Sequence, residues 1–148
     1  MSRFVFPYGV RLKEDGRTEV FPMAEVMMIG RGRKGIRALF HIDSGATTSL
    51  VPRDDAELLG LRPEGGARVL IRGVIGEAIA GFRHMLTVQF ADARYRIPVI
   101  FAESSTVPRV LGREGLFSRF GVVFDESKQR TAFLDAARER TRIDALFE

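Results

Sequence analysis

Phe40-His41-Ile42-Asp43-Ser44-Gly45-Ala46-Thr47-Thr48-Ser49-Leu50-Val51-Pro52 decides the reading of this 148-residue chain. Before it, Ile36, Ala38, Phe40 and Ile42 recur every second residue, the period of a strand with one buried face. The strand ends on Asp43. Ser44, Gly45 and Ala46 then supply the small side chains of a tight turn, so a carboxylate is presented at a loop while a strand holds its backbone. The simplest role for such an Asp is an Asx turn, in which it caps its own backbone. His41 falls on the same strand face as Asp43, and with no ligand partner evident it reads as structural.

Outward from that stretch, period two and Gly/Pro punctuation dominate, and the expectation is a mainly β protein. Val20 to Ile29 reads as one strand, joined by the turn Gly30–Gly35 to the strand ending at Ile42. Pro52 suits the first turn of a short helix, Asp54 to Leu59, that ends near Gly60. Ala67–Ile71 and Ile79–Phe90 are strands flanking the glycine-spaced tip Gly73-Val74-Ile75-Gly76. Arg94–Phe101 is a further strand. Thr106-Val107-Pro108-Arg109-Val110-Leu111-Gly112-Arg113 then leads into an expected short helix, Glu114 to Phe120. Gly121–Asp125 and Thr131–Leu134 read as a hairpin around Glu126–Arg130. Three segments result: an N-terminal arm or hairpin over 1–19, a main domain over 20–134, and a helical tail over 135–148.

Composition narrows the chemistry. The chain has no cysteine, which excludes disulfides, thiolate metal sites and cysteine nucleophiles, and only two histidines, His41 and His84. No metal or organic cofactor is implied. With 45% apolar residues a core can form without covalent staples. Basic residues outnumber acidic ones for a net charge of +4, and 20 of the 23 cations are arginine. These arginines are scattered rather than striped and no aromatic platform accompanies them, so a nucleic-acid partner is not expected. No apolar run is long enough to span a bilayer, and Met1–Pro7 lacks the apolar core of a signal peptide. A cytoplasmic protein without a membrane partner is the expectation.

Three of these elements, in this order, resemble the retropepsin-like aspartic proteases, the one-domain relatives of pepsin that include the retroviral enzymes. They are Phe40–Ala46 with its Asp-Ser-Gly-Ala, the glycine-bearing hairpin Gly73–Gly76 at the position of the family's flap, and Val110-Leu111-Gly112-Arg113 with its following segment. The resemblance spans about residues 20–134. It implies a closed-barrel-like acid-protease fold and a catalytic Asp43. It also implies Ser44 and Gly45 as active-site support, Ala46 and Thr47 as a substrate-binding wall, Ile75 with Gly73 and Gly76 at the flap, Val107 and Val110 as pocket lining, and structural roles for Gly112 and Arg113. In retroviral enzymes the position of Thr47 is usually an acid that pairs with the arginine matching Arg113; this chain carries no acid there.

Aspartic proteolysis needs two carboxylates about 3 Å apart that share one proton. This chain holds a single Asp-Ser-Gly, and a two-fold interface places a residue opposite its own copy. The expectation is therefore a homodimeric aspartic endopeptidase acting on an extended polypeptide, with Asp43 contributed by each chain and activity lost once pH ionises both. Two other readings differ in class: a weakly active or inactive dimeric binding or scaffold module of the same fold, and an arginine-rich nucleic-acid-associated protein.

Overall fold

Alternation of apolar and polar residues becomes twelve strands among the residues described by the computed structural model, which are 1–73 and 76–148. In chain order these are β1 (Arg3–Pro7), β2 (Gly9–Leu12), β3 (Thr18–Phe21), β4 (Met23–Ile29), β5 (Gly35–Ile42) and β6 (Ser49–Val51). Then follow β7 (Ala67–Ile71), β8 (Ile79–Phe90), β9 (Ala93–Ala102), β10 (Val110–Leu111), β11 (Phe120–Asp125) and β12 (Arg130–Asp135). Two short helices, α1 (Arg53–Leu58) and α2 (Arg140–Asp144), accompany them.

Six of the strands close a barrel in the order β4-β5-β10-β6-β9-β8, with β8 returning to β4 through Met27–Gln89, Met28–Val88 and Ile29–Thr87. Closure leaves those strands without a free edge. The length of β8, 12 residues, lets it serve twice: its C-terminal half seals the barrel and its N-terminal half pairs with β7 from Ile79 to Arg83. The barrel is filled by the inward residues of each strand, including Val26, Met28, Phe40, Val88, Val99 and Leu111. A separate three-stranded sheet, β1-β12-β11, covers one end. Phe6, Phe120 and Phe133 of that sheet pack edge-on or stacked against Phe90 at centroid distances of 4.9–5.5 Å, tying both chain termini to the barrel. Burying a phenylalanine contributes about 1.5–3 kcal/mol.

The mainly β, closed-barrel expectation holds, and three local expectations are corrected. The strand read over Val20–Ile29 is interrupted at Pro22, which has no N–H to donate to a ladder. Its carbonyl instead accepts from Ile42 N–H at 3.0 Å, and Thr18–Phe21 turns away to pair with β2. The helix expected at Glu114–Phe120 is a run of turns. Gly115 adopts φ +91°, where a β-carbon would meet Ile97 Cγ2 at 2.5 Å, and that left-handed step stops a helix after one Phe117 N–H to Arg113 bond. The tail is helical only over Arg140–Asp144, because β12 runs on to Asp135. The short helix after Pro52 forms as expected, with Pro52 at its N-cap.

Candidate active site

The loop Asp43–Thr48 is shaped by what runs beneath it. β10 inserts between β5 and β6, parallel to the first and antiparallel to the second, so the chain leaving β5 must cross over β10 to reach β6. Backbone bonds stitch that crossing: Asp43 N–H donates to Leu111 O (3.0 Å), Arg113 N–H to Ala46 O (2.9 Å) and Glu114 N–H to Thr47 O (2.8 Å). Gly112 lies at the point of closest approach. A β-carbon there would fall 2.6 Å from the Thr48 carbonyl carbon, so only glycine lets the two segments touch.

On this platform Asp43 is exposed, and its Oδ1 accepts the Gly45 N–H at 2.8 Å. The Asx turn and the presented carboxylate are thus one arrangement: the bond orients the side chain, and Oδ2 accepts no hydrogen bond among the described residues. Ser44 is exposed beside it, Ala46 is half-buried, and Thr47 is exposed on the same loop. Arg113 reaches the Thr47 hydroxyl with Nη2 at 3.4 Å, a long contact to a neutral partner, in keeping with the absence of an acid at position 47.

Val107 and Val110 are half-buried and pack with Leu50, Ile100 and Ala102 into an apolar cluster joined by Val69, Ile71 and Ile79 at the base of the β7–β8 hairpin. Gly73 and Gly76 follow β7 and precede β8, Gly76 with φ +119° and no described atom within 4 Å of where a β-carbon would stand. Ile75 lies outside the described residues. Asp43, Gly45, Ala46, Thr47, Gly112 and Arg113 therefore converge on one loop pair, while Val107 and Val110 line an adjacent apolar floor.

Four supporting contacts were not read from the sequence. Ser49, fully buried, accepts the Gly112 N–H at 3.0 Å. Thr48 donates to Glu114 Oε1 (3.1 Å), whose other oxygen accepts from Arg83 of β8 (3.1 Å), linking the loop to the barrel wall. Arg109 makes a two-pronged ion pair with Asp55 of α1, at 2.7 and 2.9 Å. The Asp55 partner raises the Arg109 pKa above its ordinary value. A signal for this pair was present: Asp55 stands four residues before Leu59, the apolar residue that caps α1, and a carboxylate on a buried face needs a cation.

The histidines are structural in surroundings. His41 stacks on Phe21 at 4.0 Å, and burial, then nearby Arg11, pushes its pKa below the usual value. His84 donates through Nε2 to Pro63 O at 2.8 Å and sets its ring edge-on to Phe101. Among the described residues no group of three His, Asp or Glu side chains is placed to hold a metal ion, and no helix is long and apolar enough to cross a membrane.

The family model described as Aspartyl protease matches residues 28–115, more than half of the chain and all of the loop pair described above. The chain belongs to the aspartyl protease family. No curated protein matches the sequence. Among solved structures, a retropepsin-like aspartic protease from Rickettsia conorii is similar over 89% of this chain and 98% of its own, with a TM-score of 0.56 at 16% identity. That likeness establishes a shared retropepsin-like fold. The EIAV protease, solved with the inhibitor HBY-793, aligns over 63% of this aspartyl protease and 82% of its own chain, with a TM-score of 0.46 at 19% identity.

Proposed function

We propose that this aspartyl protease is a homodimeric endopeptidase in which Asp43 of each chain supplies one of two catalytic carboxylates. The observation that carries the reading is the exposed Asp43 carboxylate, oriented by Gly45 N–H on a loop tied down by Leu111, Gly112 and Arg113. The chain has one Asp-Ser-Gly, so the second carboxylate comes from a second copy across a two-fold axis.

Two carboxylates brought that close share one proton. The ionised member accepts a proton from a water, whose oxygen attacks the scissile carbonyl carbon. The protonated member donates to the carbonyl oxygen, giving a neutral tetrahedral diol. As the C–N bond breaks, the leaving nitrogen takes a proton from the dyad and a diol hydroxyl returns one, regenerating the starting state. Ser44 buttresses the paired loops across the axis, Ala46 and Thr47 line the substrate backbone, and Val107 and Val110 contact apolar side chains near the cut. The β7–β8 hairpin, with Gly73 and Gly76, closes over the bound peptide and excludes water.

The test is proteolysis of an unfolded protein and of a fluorogenic peptide library by the wild-type chain and by Asp43→Asn, with mass measured by light scattering. The expected outcome is cleavage by a wild-type dimer and at least a thousandfold loss in Asp43→Asn with the dimer kept. Undiminished activity in that variant would refute the assignment, and a dimer that binds peptides without cutting them would make the chain a binding module.

A further inference from the structure

We infer that Arg113 is a specificity residue that selects an acidic side chain in the peptide substrate. The inference rests on the reading of the Asp43–Thr47 loop as the substrate wall. Arg113 is exposed, its backbone N–H is fixed to Ala46 O at 2.9 Å, and among the described residues its guanidinium reaches only the Thr47 hydroxyl, at 3.4 Å. The adjacent carboxylate is committed elsewhere: Glu114 is held by Thr48 and Arg83. Among the described residues no carboxylate lies within ion-pair distance of Arg113, whereas the neighbouring loop arginine, Arg109, is doubly paired with Asp55. The wall thus presents one anchored, unneutralised cation with a planar fork of donors, a geometry that matches a carboxylate.

Its place along the substrate is bounded by the chain. Thr47 is the fourth residue after Asp43, so their Cα atoms are at most about 14 Å apart, which is about four residues of an extended peptide. The acidic residue therefore falls within about four positions of the cut. The protein's net charge of +4 favours the approach of such a peptide.

The experiment pairs peptides that differ only by Glu or Gln, scanned through four positions on each side of the cleaved bond. Cleavage is measured with the wild-type chain, and fluorescence anisotropy of the same peptides is measured on Asp43→Asn, so that binding is read whether or not cleavage occurs. At one position the Glu peptide is expected to be preferred about tenfold, the scale of a charge-assisted hydrogen bond in a partly desolvated cleft. The ratio should fall in high salt, collapse toward one in Arg113→Met and invert toward Lys peptides in Arg113→Glu. No Glu preference at any position in either assay, or a preference that survives Arg113→Met, overturns the inference. So does an Arg113→Met variant that weakens the dimer and leaves the Glu/Gln ratio intact, since Arg113 would then pair with the second chain. Absence of cleavage together with a Glu preference in binding sinks the protease reading alone.

Discussion

Gly112 and Asp55 are two positions in this region where a single residue carries a large structural demand. Any side chain at 112 would have to displace the Thr48 backbone, which is held on one side by the Glu114 N–H bond to Thr47 O and on the other by the pairing of β6. Asp55 is 1% exposed and Arg109 34% exposed, so the pair is asymmetric. Removing Arg109 strands a carboxylate in the interior, whereas removing Asp55 leaves a cation that can still reach water. We therefore expect Arg109→Met to lower stability by about 3 kcal/mol and Asp55→Asn to cost less, checked by urea unfolding of both. Equal losses, or none in Arg109→Met, would contradict the asymmetry. Of the residues in this region, Asp43, Gly45 and Gly112 were legible because each announces a local backbone demand. Ser49, Glu114 and Arg83 were not, since a serine or a charge of that kind is ordinary anywhere on a β protein.

Among elements, the sheet β1-β12-β11 and its tail carry most of the resolved carboxylate shifts. Glu139, just before α2, is bound by the Ser2 hydroxyl and by Arg3, and these hold its carboxyl below the ordinary 4.5. Asp135 is lowered by the Arg138 and Ala137 N–H groups, and Asp125 by Arg130 and then Ser127. A carboxylate whose folded pKa is depressed stabilises the native state above its unfolded pKa and loses that contribution as pH falls through the folded one. The clasp between the termini should therefore hold at neutral pH and weaken below about pH 4.5. Glu139→Gln is expected to lower Tm at pH 7, and its gap from wild type should shrink steadily between pH 5 and 3. A gap independent of pH would show that Glu139 acts by packing alone. That β11 and β12 form a hairpin was readable from period two and the Glu126–Arg130 turn. That β1 pairs with β12 was not, because nothing near residue 3 encodes a partner more than 120 residues away.

At the scale of the whole molecule, one barrel carries one Asp43. The proposed proteolysis by paired copies would make activity depend on association: specific activity should then fall on dilution as the dimer dissociates, and recover on concentration. The check is specific activity from micromolar to low nanomolar chain alongside sedimentation. Constant specific activity over a range in which the chain becomes monomeric would rule out a site shared between copies. Beside that site, the break at Pro22 sends β2 and β3 out as a hairpin and brings Phe21 against His41, two residues before Asp43. Reading Val20–Ile29 as one strand missed this, because the sequence between 20 and 29 is apolar on both sides of the proline.

The chain's own sequence determined what depends on residue type and near neighbours. Strand period, the small-residue turn after Asp43, the absence of thiols and the single Asp-Ser-Gly are all of that kind. The tertiary structure alone decided how β10 slides between β5 and β6, how β8 seals the ring against β4, which carboxylate Arg109 takes and why Arg113 takes none among the described residues. Those outcomes rest on contacts between segments tens of residues apart, whose free energies depend on the closed barrel as a whole and leave no local mark in the order of residues.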